Sequence, residues 1–595
     1  MLDGGERLSQ AGEHSWLEFR TGRVPVLLIA PHGGRARDGA QSEAHHKVND
    51  LYTDELTWEL ASRLQASAMI NHGMDRNRLD CNRVPQLLES APWMLSALAH
   101  HAEQLVNAHG RLAVLIIHGW NVIEPRVDFG IGVRLERGCL PPSDMDSVSA
   151  GPEFVRDLLL PLASQLADWG IIASFGLRYP AARKHNLLQA FTRRYRGSDV
   201  PALRQLSELA CRGVIEAAQI ELSVPLRWPG RLRANSLACV EAALAAWIER
   251  PDAGAGSGVN RARFGARVLS ASKPILSPPA KSQSRAFRYG MEFYDPAAKL
   301  GGFASFRFGR GLGRVSLLLL RGNREVVMFS TEARPRLTPK GLSLGGLDLI
   351  LSERGFGLRF AGPAILVPDA RACIRLERAL ACGRLFDVSL SLDACNQEQT
   401  SKVPFDELLR LPDQAALRSR FGSARGRISI GAAVYVINAP ARVGFGPNYG
   451  EVNTGVGSVK HLWAHLNTPD SATTLEPRLS VSNGLVRVHA SGDSLPSGTQ
   501  EGFDLDAFEL VALGAGQFPQ RLAAVLRSKV SRQLVELAGK VEACVALAHP
   551  SADGSVAYTT LGFAAMESGA AFGHGAFWLS QRERPAWAVL PPDRA

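Results

Sequence analysis

The sequence predicts an α/β N-terminal domain, with a mostly parallel sheet covered by helices, followed by an antiparallel β-rich barrel or sandwich region. Two sequence patterns lead to this prediction. Residues 1–250 alternate apolar strand-like runs with helical patterns, which is typical of parallel sheets. Residues 286–595 instead contain many short strand patterns separated by turn signals. Between them, residues 251–285 are rich in Gly, Ser, Pro and Ala, a linker composition.

The N-terminal domain is predicted from apolar runs and helical spacing in alternation. Leu56, Leu60 and Leu64 recur every four residues, as on one face of a helix. The predicted strands cover 24–30, 111–119, 171–179 and 214–223. The predicted helices cover about 53–66, 93–109, 153–168, 200–211 and 235–249.

The C-terminal region contains ten short apolar segments of strand type, such as "EVVMFSTE" and "LFDVSLSLDA". One long helix is predicted among them, at about 518–546. A span of roughly 310 residues is large for one barrel, so two barrel-like halves are expected.

Composition and charge narrow the function classes. The net charge of +10 comes mostly from arginines spread along the chain, without a dense basic tract, so we expect anionic small substrates rather than nucleic acid. No apolar run approaches the roughly 20 residues of a membrane helix, and the first residues lack the pattern of a secretory signal. The eight cysteines contain no C-x-x-C pair. These features predict a cytoplasmic protein with no integral membrane segment. They indicate no particular oligomeric state.

Two predicted strands end in histidine followed by glycine. "VLLIAPHGG" places His32 after the first strand, and "VLIIHGW" places His118 at the tip of a second. Parallel neighbouring strands deliver such residues to one sheet edge, where ligands of open α/β sheets bind. We expect the two imidazoles to converge.

Zinc accepts histidine nitrogens together with a carboxylate oxygen, and a catalytic site keeps one position open. The loop after His32 offers Asp50, three residues before Thr53, which is a good helix N-cap. The predicted metal ligands are therefore His32, Asp50 and His118. Alternatively, Asp50 caps the helix or is a solvated loop acid.

Polar residues crowd "DRNRLDCNR" at 75–83. Asn82 and Arg83 are candidates for anchoring an acidic substrate, since the arginine fork binds carboxylates in a bidentate manner. Asp80 is a candidate for fixing Arg83 or a metal-bound histidine. Alternatively, the segment is a surface loop of mutually neutralising charges.

Glu221 interrupts the apolar strand "AQIELS". A buried carboxylate has a raised pKa, which suits a general base, so Glu221 is the candidate base; the alternative is an outward-facing strand acid. Arg178 opens the basic segment 178–196, which is interpreted either as an anion-recognition region or as a solvated basic helix.

Five motifs, taken in order, resemble the N-formylglutamate amidohydrolase family and, more distantly, the zinc carboxypeptidases. They are "PHGG", "NDLYTDEL", "RLDCNR", "IIHGW" and "AAQIEL". The resemblance covers roughly residues 20–230 and implies a zinc hydrolase that cleaves an amide next to a carboxylate. It assigns His32, Asp50 and His118 to the metal, Asn82 and Arg83 to the substrate carboxylate, with Arg83 also in the catalytic set, and Glu221 to the general base. "PHGG" departs from the family's usual "PHSG", and His45 and His46 are competing ligand candidates.

The C-terminal segments "FRYGMEFYD" and "FGHGAFWLSQR" look like the tandem lipocalin-like proteins related to carotenoid hydratases and tocopherol cyclases. That resemblance implies an apolar ligand inside a barrel, with His574 and Trp578 either lining a pocket or belonging to a core.

Two further functions follow as alternatives to a hydrolase of N-acyl or γ-linked acidic amino acids. The first is an apolar-ligand-binding protein with an inactive hydrolase half, and the second is a hydrolase whose barrel half delivers a lipid-linked substrate.

Overall fold

A seven-stranded sheet organises the first of two units, Met1–Pro274 and Ile275–Ala595, in a computed structural model of the chain. The structure describes residues 16–33, 48–133, 145–250, 287–308, 312–322, 324–338, 341–352, 355–395, 420–446, 458–467, 476–482, 485–491, 501–512, 517–528, 532, 534–550, 556–568, 571–581 and 584–588.

The strands of the first unit are β1 (Leu17–Arg20), β2 (Val26–Ala30), β3 (Ser67–Asn71), β4 (Leu112–Trp120), β5 (Arg126–Gly130), β6 (Ile172–Phe175) and β7 (Ile215–Ser223). The α-helices are α1 (Thr53–Leu64), α2 (Val84–Ser90), α3 (Pro92–His109), α4 (Pro152–Phe154), α5 (Leu160–Asp168), α6 (Pro201–Cys211), α7 (Val224–Arg227) and α8 (Arg231–Ile248). A π-helical turn, Val155–Leu159, joins α4 to α5, and short 3-10 turns occur at Met145–Ser147, Leu187–Phe191 and Arg193–Tyr195.

The sheet order is β1-β3-β2-β4-β7-β5-β6. The central strands β3, β2, β4 and β7 run parallel, and so do β5 and β6. By contrast, β1 is antiparallel to β3, and β5 is antiparallel to β7. The sheet is therefore mixed. Strands β1, β3 and β5, which had no counterpart among the predicted strands, supply both antiparallel pairings.

Helices cover both faces of this sheet. On β2, Val26 and Leu28 pack in one apolar cluster with residues of α1, α5 and α8. Leu27 and Ile29 pack in a second cluster with residues of α2, α3 and α6. Because successive side chains of a strand point to opposite faces, a continuous apolar run such as β2 requires two covered faces. This confirms the prediction of a helix-covered sheet.

The described residues of the second unit lie mainly in antiparallel strands. These are β8 (Phe287–Asp295), β9 (Leu300–Phe308), β10 (Gly313–Arg321), β11 (Glu325–Ala333), β12 (Arg336–Thr338), β13 (Gly341–Leu344), β14 (Leu347–Ser352), β15 (Gly355–Val367), β16 (Arg384–Cys395), β17 (Arg420–Ile430), β18 (Ala433–Gly446), β19 (Ser458–Asn467), β20 (Glu476–Ser482), β21 (Leu485–Ser491), β22 (Glu501–Ala512), β23 (Pro519–Ser528), β24 (Leu534–Pro550), β25 (Val556–Ser568) and β26 (Ala571–Gln581). A short helix, α9 (Leu376–Cys382), follows the 3-10 turn Ala370–Ile374, and another 3-10 turn covers Ala586–Ala588.

These strands form two successive barrels, as the length of the region predicts. Strands β19 to β26 form a closed antiparallel barrel. Strands β8 to β18 form one eleven-stranded sheet, in which β11 also pairs with β15. That pairing closes β8–β11 and β15–β18 into a ring, because β8 already pairs with β18.

The helix predicted at about 518–546 is wrong, because these residues belong to β23 and β24. Alanine and leucine favour helices in isolation, but strand pairing overrides this preference. In β23, Leu522 and Ala524 are buried while Arg521 and Ala523 are exposed, so burial alternates with the period of a strand.

In the part of the chain that the structure describes, no helix combines the length and apolar character needed to cross a membrane.

Candidate metal centre and its surroundings

Strands β2 and β4 are parallel neighbours, with Ile29 opposite Ile116. His32 lies two residues beyond the end of β2, and His118 lies two residues before the end of β4. The two imidazole centroids are 4.8 Å apart, and both side chains are buried. The expected convergence of the two histidines at one sheet edge is therefore present.

Asp50 is bonded to the first of these histidines through the backbone. Its N–H donates to the carbonyl oxygen of His32 at 2.8 Å, and the hydroxyl of Thr53 donates to the carbonyl of Asp50 at 2.6 Å. The residue at the N-cap of α1 is Tyr52, and the Asp50 side chain is 1 % exposed. Asp50 is thus neither the helix cap nor a solvated loop acid.

The three side chains meet at one carboxylate oxygen. Asp50 Oδ2 lies 3.2 Å from His32 Nδ1 and 3.0 Å from His118 Nδ1. The three candidate ligand atoms all lie within 4.8 Å of one another, so this buried group could hold a metal ion. The competing candidates His45 and His46 lie outside the described residues.

The hydrogen-bond partners of the two histidines are compatible with a cation bound between them. Asp80 Oδ1 lies 2.7 Å from His32 Nε2. His32 therefore has a carboxylate at each ring nitrogen, whereas a neutral imidazole carries one proton and can donate to only one of them. His118 Nε2 is buried with no hydrogen-bond partner among the described residues. A cation bound by the two Nδ1 atoms and Asp50 Oδ2 would leave the single His32 proton on Nε2, facing Asp80, and this donor set is one that zinc accepts.

Asp50 is held ionised. Burial alone would raise its pKa, but hydrogen bonds with His118 and His32 and the nearby Arg76 guanidinium hold the pKa well below its ordinary value. Arg76 NH1 lies 3.3 Å from Asp50 Oδ1. A negative charge is therefore available at the point where the two imidazoles meet.

Gly119 and Arg227 pack directly beneath Asp50. Arg227 is fully buried and donates to the carbonyl of Leu51 and to Asn121 Oδ1. A Cβ at Gly119 would lie 2.8 Å from Arg227 Cζ and 2.9 Å from Asp50 Cβ. The glycine after His118 is therefore required by close approach of these two side chains.

Glu221 lies on β7, opposite His118 of β4 and Asp128 of β5. Its side chain is buried rather than outward-facing, with 5 % exposure. Burial raises the pKa of Glu221 to about 7, and the neighbouring charge of His118 opposes that rise. A carboxyl group in this state can exchange a proton near neutral pH.

Asn82 and Arg83 follow Asp80, whose side chain connects them to His32. Asn82 N–H donates to Asp80 Oδ1 at 3.1 Å, and Arg83 Nε lies 3.6 Å from Asp80 Oδ2. Asn82 is buried, whereas the Arg83 side chain retains 34 % exposure. The segment is part of the site edge rather than a separate surface loop, and Asp80 contacts both of its predicted targets.

Arg178 is exposed, and its loop is tied to the strand edge. Asp128 accepts from the N–H groups of Leu177, Arg178 and Tyr179 at 2.8–3.0 Å. The solvated basic helix considered for 178–196 is wrong: the segment contains two short 3-10 turns, and Leu187–Phe191 is buried. Burial of its apolar residues under α6, rather than helical periodicity, sets its conformation.

Sequence reasoning missed four buried or half-buried polar residues around the site, namely Arg76, Asn186, Gln219 and Arg227. Gln219 and Arg227 carried a usable signal, because a polar residue inside an apolar strand or helix is costly to bury without partners. Asn186 carried none, since asparagine is common in loops.

In the second unit, His574 and Trp578 lie on β26 and are half-buried. Trp578 contacts Phe303 with ring centroids 6.0 Å apart, and His574 lies 5.8 Å from Tyr294. Both partners belong to strands of the preceding ring, so these two residues pack between the barrels of this unit.

No protein-family model matches this chain, and no curated protein matches it in sequence. Solved structures with similarity include N-formylglutamate amidohydrolase from Ralstonia eutropha JMP134, with 14 % identity and a TM-score of 0.27 over 39 % of this chain and 97 % of that one. A protein assigned as AttH from Nitrosomonas europaea has 13 % identity and a TM-score of 0.32, over 53 % and 98 % of the two chains. Kievitone hydratase from Nectria haematococca has 11 % identity and a TM-score of 0.25, over 54 % and 96 %.

Proposed function

We propose that the N-terminal unit is a zinc-dependent amidohydrolase acting on an N-acyl amino acid of the N-formylglutamate type or on a γ-linked acidic amino acid. The observation that supports this most is the meeting of His32 Nδ1 and His118 Nδ1 at Asp50 Oδ2, with Glu221 on the adjoining strand. Three protein ligands match a catalytic zinc site, which keeps its fourth position open.

When bound by His32, Asp50 and His118, zinc supplies a Lewis acid that makes nearby water more acidic and stabilises negative charge on oxygen. Glu221 accepts a proton from the attacking water as the amide carbonyl is attacked, and then returns it to the leaving amine. Its pKa of about 7 suits both roles, because a general base works best near the ambient pH.

Asn82 and Arg83 orient the substrate. The guanidinium of Arg83 pairs with the substrate carboxylate and the Asn82 amide adds a donor, so that the amide next to that carboxylate is held for attack. Arg178, on the exposed loop tied to Asp128, adds positive charge near an anionic substrate. The preferred partner is accordingly a small anionic amide.

The C-terminal unit keeps a separate prediction. Closed eight-stranded barrels either fill their interior with side chains or hold one small ligand. In the first ring, Tyr289 packs on Phe306 and Phe356 with centroids 5.6 Å apart in both pairs. Binding of an apolar ligand in this unit stays a prediction.

The proposed function is tested on the full-length protein by metal analysis and by a hydrolysis screen. The screen contains N-formyl, N-acetyl and γ-glutamyl derivatives of glutamate and aspartate, with release of the free amine as the signal. We expect about one zinc per chain, and loss of both zinc and hydrolysis in His118→Ala.

His101→Ala is the matched control, since His101 is also buried but stacks on Phe19 of β1 rather than facing Asp50. It should keep zinc and activity. A correctly folded parent protein that holds no stoichiometric metal, or equal hydrolysis by the parent and His118→Ala, contradicts the proposal.

A further inference from the structure

A second polar side chain on β7 contacts the candidate base. Gln219 lies two residues before Glu221, so both side chains point to the same face of the sheet. Gln219 Nε2 donates to Glu221 Oε1 at 2.6 Å. Gln219 is 2 % exposed, so water does not compete appreciably for this hydrogen bond.

The amide of Gln219 is itself oriented from the other side. Asn186 Nδ2 donates to Gln219 Oε1 at 3.1 Å, which leaves Nε2 as the group that faces Glu221. Asn186 is held in turn, because its Oδ1 accepts from the N–H of Leu188 at 2.8 Å. Both ends of both amides therefore have partners, and neither amide can rotate by 180° without opposing donor to donor or acceptor to acceptor.

The segment around Asn186 also pairs with the segment that carries Asn82 and Arg83. Asn186 forms an antiparallel bridge with Arg83, and the N–H of Leu187 donates to the carbonyl of Asn82 at 3.1 Å. One continuous set of contacts thus runs from the predicted carboxylate anchor, through Asn186 and Gln219, to Glu221.

We infer that Gln219 is a positioning residue that fixes the rotation of the Glu221 carboxylate and, through Asn186, sets its distance from Arg83. This inference rests on the proposed function. Donation to Oε1 leaves Oε2 as the oxygen that takes the proton. Because the anchor and the base are joined by buried hydrogen bonds, the site selects substrates whose scissile amide lies at one fixed separation from the carboxylate.

The experiment compares Gln219→Met with Gln189→Met in the full-length protein. Gln189 is the matched control: it is equally buried, and its Nε2 donates to the carbonyls of Ser147 and Ala181 rather than to Glu221. Methionine keeps the length of the side chain and removes the donor. A hydrogen bond to a charged group predicts that Gln219→Met lowers kcat roughly 10- to 100-fold. KM and zinc content should stay at the parent values, and Gln189→Met should leave kcat unchanged.

A readout independent of activity uses thermal unfolding of the metal-free protein. A double-mutant cycle of Gln219→Met with Glu221→Gln should give a non-zero interaction, whereas the cycle of Gln189→Met with Glu221→Gln should give none. Asn186→Ala, which removes the side-chain link between the Arg83 segment and Gln219, should lower kcat and raise KM together.

The outcomes separate the two claims. An active parent protein in which Gln219→Met and Gln189→Met have the same kcat, or equal interaction in the two cycles, overturns the positioning role and leaves the hydrolase intact. A parent protein without hydrolytic activity overturns the proposed function, and the positioning role falls with it.

Discussion

His32 Nε2 lies 2.7 Å from Asp80 Oδ1, and the other ring nitrogen of His32, Nδ1, lies 3.2 Å from Asp50 Oδ2. A carboxylate behind a metal-binding imidazole fixes the tautomer and raises the basicity of the ligating nitrogen. Asp80 therefore connects the predicted metal ligand to Asn82 and Arg83, which its two oxygens also contact.

Asp80→Asn should weaken zinc binding by roughly 10-fold or more, because the neutral amide makes the His32 nitrogen a poorer donor to the metal. The measurement is competition with a chelator of known zinc affinity. Asp75→Asn is the matched control, since Asp75 is buried in the same segment and accepts from Asn77 and Asn49. Equal zinc affinities in the two variants would show that Asp80 does not strengthen zinc binding through His32.

The pH dependence of hydrolysis should follow Glu221. Burial raises its pKa from 4.5 to about 7, and a general base acts only when ionised, so kcat/KM should fall as pH drops through about 7. Glu221→Gln should lower kcat roughly 100- to 10,000-fold while zinc stays bound. An acidic limb close to pH 4.5, the ordinary value of a glutamate, would contradict this assignment.

The same raised pKa has a consequence for stability with a definite sign. The folded protein binds the Glu221 proton more tightly than the unfolded chain, so this group's contribution is complete below pH 4.5 and is lost as pH rises through about 7. Relative to Glu221→Gln, the metal-free parent should therefore lose free energy of unfolding over that interval. Chemical denaturation of both proteins at several pH values measures the difference, and parallel curves would refute it.

Gly119→Ala should destabilise the N-terminal unit by about 1–3 kcal/mol, because its Cβ overpacks the site. That Cβ would stand 2.8 Å from Arg227 Cζ and 2.9 Å from Asp50 Cβ, so zinc affinity should fall as well. Gly197→Ala is the control, since nothing lies within 4 Å of its Cβ position, and it should stay within about 0.5 kcal/mol of the parent. Denaturant unfolding checks both variants.

Arg83→Ala should raise KM roughly 10- to 100-fold for an N-acyl amino acid, because a charge-assisted contact with the carboxylate is lost. The control is a substrate rather than a variant: the corresponding N-acyl amine without a carboxylate should have the same KM with the parent and Arg83→Ala. A similar loss with both substrates would assign Arg83 a structural role through its contact with Asp80.

Much of the candidate site could be predicted because its residues lie at recognisable points of local structure. His32 and His118 follow apolar runs that are typical of buried strands, and such strands meet at one edge of a parallel sheet. Asp50 was harder to place, because the spacing to Thr53 also fits a cap. Only the tertiary structure shows that Asp50 Oδ2 faces both imidazoles, with the Asp50 N–H bonded to the carbonyl of His32.

The errors have one physical origin, which is that partners distant in sequence override local preference. The alanine-rich segment 518–546 has helical composition, yet β23 and β24 pair with each other in a barrel. The basic residues after Arg178 also fit a solvated helix, yet the apolar side chains of this segment are buried in the second core cluster of the first unit.

By itself, the sequence determined the strand–helix alternation of the first unit, the strand-rich character of the second, and the residue types able to bind a metal, because these depend on composition and short-range periodicity. Tertiary structure alone decided the hydrogen-bond partners: Asp80 behind His32, Arg227 beneath Gly119, and the Asn186–Gln219–Glu221 series. Such contacts join residues up to 176 positions apart, as between Arg227 and Leu51, and burial from water gives them their strength. Local sequence patterns do not identify which side chains from distant parts of the chain will contact each other.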